Sequence, residues 1–317
     1  MPLIALFAVT SASPTSLSRR EEVSTPGVNA IPQIPASFTV DWVFTPPPLI
    51  ATGDTLAVVL HAMSRYTIWD YEGQVANLKF AYLGLAIAVT HPNSAGSPRF
   101  ENRFALWGLL LCMKRMLSSS ETPQESYNGG ICTLSNSGVK VGQLQVEARP
   151  GSGNEEESVV TTLLDLDGQT AVQGDSLLTA RAEAPVEEVE GSADLSIRIF
   201  PGGRTIGVER FHLTIFQGAI ALADRYRTRS ERSETGIGAL DLAGDGQHTV
   251  LRLRPNLMPA GGPPTNYYLA VNTIMKVGVK MRDFARGRDW LETDFVADYL
   301  WKGTTYSVMK GGVKSPA

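Results

Sequence analysis

Apolar and polar residues alternate with a period of two along Phe38-Thr-Val-Asp-Trp-Val-Phe44, as in a strand with one buried face. Thr45-Pro-Pro-Pro48 cannot continue a hydrogen-bonded ladder, because three prolines remove three donors. Beyond the capping sequence Thr52-Gly53-Asp54, residues Leu56, Val59, Leu60, Met63 and Ile68 recur at near-helical spacing up to Gly73, which ends the predicted helix. The run Leu78 to Val89 is apolar on both faces and predicts a central strand. His91-Pro92-Asn93 through Pro98 predicts a turn, Arg99 to Leu117 a second helix, and Tyr127 to Glu147 two strands around Asn136-Ser-Gly138.

The same order returns from Leu195. Leu195-Ser-Ile-Arg-Ile-Phe200 alternates and is broken by Pro201-Gly202-Gly203. Val208 to Tyr226 places Phe211, Ile215, Ala219 and Leu222 on one helical face. Thr249 to Arg254 reads as a strand, Pro255-Asn256 opens a turn, Thr265 to Phe284 is helical, and Trp290 to Met309 holds two strands around Lys302-Gly303. Small-residue loops lead into an aromatic-bearing helix in both halves, with Asn102 opposite Asn266. The expected fold is therefore α+β: two similar lobes from an internal duplication, each a small, mostly antiparallel sheet with two helices on one face. The alternation of strands and helices leaves an α/β arrangement open.

Charge divides the chain unevenly. Residues 1–35 form a Ser/Pro-rich leader, 36–150 the first lobe, 151–194 an acidic linker and 195–317 the second lobe. The linker carries eleven acidic residues against Arg181 alone, whereas the second lobe has seventeen basic and eleven acidic residues. Within the linker, Val159 to Leu166 has the look of a strand, and the adjoining opposite charges place its docking near Arg225–Arg232. Over the whole chain the net charge is only −4, with 43% hydrophobic residues among 317. That balance excludes a disordered chain and a general polyanion binder, so no nucleic-acid partner is expected.

The start of the chain bears on compartment. An apolar run to Val9 is followed by Thr10-Ser-Ala12, the minimum for a secretory segment cleaved after Ala12, and Arg19-Arg20 follows as a dibasic processing site. The alternative is a cytoplasmic protein with an unstructured tail. The dibasic leader, the two strand–helix units and the helix Phe104-Ala-Leu-Trp-Gly108 together resemble uncharacterised secreted proteins of ascomycete fungi. The resemblance implies secretion and two similar α+β halves, and implies no activity. No membrane span is expected: the longest apolar run, Leu78 to Thr90, is interrupted by Lys79 and falls short of the ~20 residues required.

Few residues are arranged for chemistry. His61, His91, His212 and His248 lack metal-helix spacing, so no metal site is expected. The Asp165-Leu-Asp167-Gly168 and Asp241 to Gly246 segments lack calcium-loop ligands and read as hairpin turns. No phosphate-binding glycine pattern is complete, so no cofactor is expected; Pro201-Gly-Gly-Arg204, read at a helix start, reads as a sharp turn. No nucleophile elbow is present. Cys112 and Cys132 would form a disulfide in a secreted protein and buried thiols in a cytoplasmic one. The densest charge cluster, Arg225, Arg227, Arg229 and Arg232, is a candidate anion or partner contact, set against a role in capping a helix C-terminus. Two functions follow: a secreted, non-catalytic binding or effector-like protein with a protein or small-molecule ligand, or an enzyme with a site between the lobes. Whether the chain is an enzyme is open, with the absence of motifs leaning against it. Carboxylates such as Asp41, Asp54 and Asp70 are numerous enough for acid–base work in the second case, though the sequence places no two together.

Overall fold

The computed structural model describes residues 34–75, 77–82, 85–90, 100–118, 126–148, 160–163, 194–228, 231–232, 236–243, 249–256, 262–263, 265–284 and 290–315. Residues 1–33 of the expected leader, where the cleavage sites were expected, the Pro92-Asn93 turn, most of the acidic linker and Arg229 lie outside these residues. The fold is α+β, and every strand pairing among the described residues is antiparallel.

The first half runs β1 (Phe38–Ala51), α1 (Thr52–Thr67), β2 (Leu78–Tyr82), β3 (Leu85–Thr90), α2 (Asn102–Ser118), β4 (Ser126–Asn136) and β5 (Val139–Ala148), followed by β6 (Val160–Leu163). The second runs β7 (Leu195–Thr205), α3 (Val208–Arg225), β8 (Leu240–Ala243), β9 (Val250–Pro255), α4 (Tyr267–Phe284), β10 (Leu291–Trp301) and β11 (Thr304–Lys314). The sheet orders are β1-β4-β5-β3-β2-β6 and β7-β10-β11-β9-β8. Apart from β6, the two orders are the same when each strand is replaced by its counterpart.

The likeness reaches irregular features. Both last hairpins turn through two residues with positive φ, Ser137-Gly138 and Lys302-Gly303, the geometry that suits the twist of a two-residue loop. One extra residue bulges from the strand after each turn, Val141 in β5 and Val308 in β11, and both side chains are buried. The first strand of each sheet also breaks register at its proline: pairing stops at Phe44 and resumes at Leu49 in β1, and shifts between Pro201 and Thr205 in β7. The proline run thus interrupts the ladder as its missing donors require.

In each half the helices cover one face of the sheet, α1 and α2 on the first and α3 and α4 on the second. The alternating burial of Leu195, Ile197 and Ile199 against exposed Ser196, Arg198 and Phe200 leaves the other face of β7 in solvent. The helices of one half then pack on those of the other, giving the layers sheet, helices, helices, sheet. A single hydrophobic core runs through both halves. Within the first half, the sulfurs of Cys112 on α2 and Cys132 on β4 stand at disulfide distance, 2.05 Å apart. No helix among the described residues is long and apolar enough to cross a membrane.

Several expectations need correction. Leu78 to Val89 is the hairpin β2–β3 and not one strand. Asp241 to Ala243, expected in a hairpin turn, belong to β8, a four-residue edge strand beside β9, and Gly244 to Gly246 lie outside the described residues. Pro201 to Arg204 lies inside β7, with α3 starting only at Val208, so it is not a helix N-terminus. Of the described linker residues, β6 pairs with β2 at the edge of the first sheet and not with Arg225–Arg232, while Asp194 O at the linker's end accepts from Leu300 N (2.9 Å). Backbone pairing, which needs an open edge, decides that placement; net charge gives no register.

Helix α1 also ends at Thr67, well before Gly73. Its last carbonyls are taken by distant side chains: Asn102 Nδ2 donates to Tyr66 O (2.7 Å) and Trp69 O (3.0 Å), and Tyr267 Oη donates to Thr67 O (2.8 Å). These bonds satisfy the groups that a helix end leaves free, so the chain can turn away there.

Candidate inter-lobe groove

Antiparallel helices α1 and α4 meet across the two halves. The C-terminal Thr67 of α1 faces the N-terminal Tyr267 of α4, and Gly278 faces Leu60 further along. A Cβ built on Gly278 would sit 2.7 Å from Leu60 Cδ1, so the approach of the helices depends on that glycine. Beside this contact runs a partly open groove of about 170 Å³. Leu60, Ile68, Val271, Met275 and Val279 give it an apolar floor, and His61, Ser64, Arg65, Asn272 and Lys276 stand among them. Among the described residues no aspartate or glutamate lines it.

The polar groups have unequal freedom. Ser64 Oγ donates to the carbonyl of His61 at 2.7 Å, within its own helix, and does not address the imidazole. Burial, then the neighbouring Arg65, holds the His61 pKa down at about 4, so the ring is neutral at pH 7. Lys276 Nζ donates to Leu195 O at 2.7 Å, and burial lowers its pKa. Arg65 is half-buried, its pKa is lowered by burial, and among the described residues no carboxylate lies within ion-pair distance of it.

The counterpart cleft at the far side of the helix layer is filled. Tyr71, from the connection after α1, lies between α2 and the end of α3: its amide donates to Arg227 O (3.0 Å) and its hydroxyl accepts from Trp107 Nε1 (3.0 Å). With Asn102 set opposite Asn266, Trp107 falls opposite Val271. Where the first half has an indole, the second has a valine, and the space it leaves is part of the groove.

The arginine cluster is dispersed. Arg232 is completely buried, and its guanidinium donates to Tyr226 O (2.6 Å), Thr67 O (2.8 Å), Trp69 O and Ala223 O while lying 4.6 Å from the centre of the Tyr267 ring. It is a tie between helix ends and has no surface to offer a partner. Arg227 is exposed and bound to Asp224 (2.7 Å) and Glu72 (3.3 Å). Arg225 is exposed and stacks on Tyr226. The helix-end role was the better reading for Arg232, whose reach extends to a second helix.

Asp41 is exposed on β1 and Asp70 is exposed beyond α1, while the Asp54 side chain lies outside those described. Neither Asp41 nor Asp70 is among the groove residues. Among the described residues no group of three or more metal-ligating side chains converges. His212 is fully buried against Trp290, with ring centres 4.7 Å apart, and Nδ1 donates to Val208 O at 2.9 Å.

The groove itself escaped the sequence reading. The signal for it is in the sequence, since His61, Ser64, Asn272 and Lys276 interrupt otherwise apolar helical stripes.

Comparisons with known proteins add little. No family model and no curated protein matches the chain. A solved structure that does match, a conserved protein of unknown function with a hot dog fold from Alicyclobacillus acidocaldarius, is 11% identical over 90% of this chain and 95% of its own, with a TM-score of 0.12. Agreement at that level carries no structural argument.

Proposed function

We propose that the chain is a secreted, non-catalytic binding protein whose ligand occupies the groove between α1 and α4. The observation that carries this reading is the groove's composition: an apolar floor with polar side chains, and no nucleophile paired with a base or carboxylate among its described residues. Sites of this kind, apolar with a few polar groups and set between two lobes, commonly hold small ligands. The volume lies below the ~300–1,000 Å³ usual for drug-sized ligands, so the ligand is small. The Cys112–Cys132 pair supports an oxidising compartment, because disulfides persist there. The common strand order and the matching hairpin bulges support an origin by internal duplication, after which one cleft was filled and the other left open.

The test uses the full chain and a panel of small organic esters, acids, alcohols and amines, followed by NMR of the methyl groups. Unchanged compounds, with shifts confined to Met275, Leu60 and Val271, support the reading. Ester hydrolysis that disappears in Ser64→Ala or His61→Gln would overturn it in favour of an enzyme. Secretion is tested separately: secreted material is expected to start near Glu21 and carry no free thiol, and intracellular protein with Met1 and two titratable thiols refutes it.

A further inference from the structure

The groove's charge distribution says more than that it binds something. Its residues include one side chain that is permanently cationic, Arg65, and one ammonium, Lys276, which feels the Asp194 carboxylate; among the described residues no carboxylate stands within ion-pair distance of Arg65. A cation taken partly out of water without a counter-ion is unfavourable, and protein interiors pair such groups. Arg227, Arg254 and Arg198 follow that rule, each with a carboxylate within 3.0 Å. Arg65 does not, although it is more sheltered than Arg198 or Arg227. The guanidinium is a planar fork that suits a two-oxygen acceptor.

From Arg65 the apolar floor leads away along both helices. Leu60 and Ala57 lie one and two turns towards the start of α1, and Val271, Met275 and Val279 follow each other at helical spacing on α4. The groove is thus charged beside an apolar track, and its occupant should have the converse form, an anionic head on an apolar tail.

Resting on the reading of the groove as a binding site, we propose that its ligand is a small amphipathic carboxylate, with the two carboxylate oxygens on Arg65 and the hydrocarbon over Leu60, Val271 and Met275. His61, neutral at pH 7, stands beside the head as a hydrogen-bonding neighbour without adding charge. The carboxylate supplies the counter-ion that Arg65 lacks among the described residues, and the tail covers the floor from water. An alcohol of the same length would gain only the second contribution, and an alkylammonium would face two like charges.

The probes are octanoate, octan-1-ol and octylammonium, titrated by calorimetry at pH 7 into the full chain, with Met275 methyl shifts recording where each binds. Octanoate is expected to bind at least about tenfold more tightly than octanol, octylammonium not at all, and Arg65→Gln to bring octanoate down to the level of octanol. Asn272→Trp, which places an indole at the half-buried rim, should abolish both. If octanol equals octanoate in the unaltered protein and Asn272→Trp abolishes both, the groove binds but the carboxylate assignment is wrong. If none of the three moves the Met275 methyl, or binding persists unchanged in Asn272→Trp, the groove reading itself falls. The methyl shifts in unaltered protein decide the matter even where a variant does not fold.

Discussion

Arg232 enters the interior without a carboxylate within ion-pair distance among the described residues, and its partners are carbonyls at the ends of α1 and α3. Such carbonyls carry the negative end of each helix dipole, so the cation is met by partial charges from both halves of the chain. Arg232→Leu would strand Tyr226 O and Ala223 O in a buried place, and a loss of about 3 kcal/mol or more is expected from urea unfolding. Arg232→Lys should recover less than half of that, since a compact ammonium cannot span the same carbonyls. A Leu variant as stable as the parent would remove the tie from the account. His212 gives a pH-dependent counterpart. Burial lowers its pKa from 6.5 to about 4, and Arg282 nearby pushes the same way. Above pH 6.5 the ring is neutral whether the chain is folded or not; as pH falls from 6.5 towards 4 only the unfolded chain takes the proton, and stability drops. The shift corresponds to about 3 kcal/mol at most. Urea midpoints at pH 7 and pH 4.5 should differ less in His212→Phe than in the parent, and an unchanged difference would assign the acid sensitivity to other groups, His61 first.

At the level of elements, the α1–α4 contact depends on the missing side chain of Gly278. Gly278→Ala should press on Leu60, which is buried at 1% exposure, and cost about 1–3 kcal/mol through overpacking. A shift of the Met275 methyl would show the same strain reaching the groove, whereas an unperturbed, fully stable variant would mean that Leu60 simply moves aside. The elements differ in how openly the sequence announces them. Helix α3 was legible almost to the residue, because Phe211, Ile215, Ala219 and Leu222 form an unbroken stripe. The turns at Ser137-Gly138 and Lys302-Gly303 were equally plain, since few sequences accept two successive positive φ angles. The end of α1 was not, because the groups that cap it belong to Asn102, Arg232 and Tyr267, as much as 200 positions away. β8 has only four residues and owes its identity to pairing with β9. The groove was hidden for a related reason: it exists where Val271 stands opposite Trp107, and that comparison has meaning only once the two helix pairs are known to correspond.

For the whole molecule, the decisive fact is that one core serves both sheets. Unfolding should therefore be a single transition, with tryptophan fluorescence from Trp42, Trp69 and Trp107 in one half and Trp290 and Trp301 in the other following the same urea curve as far-ultraviolet circular dichroism. Two separated transitions would mean that the halves are independent domains after all. The Cys112–Cys132 link closes a loop with a sequence separation of 20 inside the first half, and its loss should lower the stability of the whole chain by roughly 3 kcal/mol in the chain-entropy picture. Because cooperativity joins the halves, that loss is expected to lower the unfolding midpoint seen by tryptophans of the second half as well. The shared core has one more consequence, for the order in which the chain is strung. Helix contacts, the Arg232 carbonyl bonds and the Tyr267–Thr67 bond all cross between the halves without using the covalent connection between Leu163 and Asp194. Two separately synthesised polypeptides divided there should reassemble as a split pair, and a circular permutant opened there should keep the same native contacts, with the covalent order of the halves reversed and their embrace unchanged.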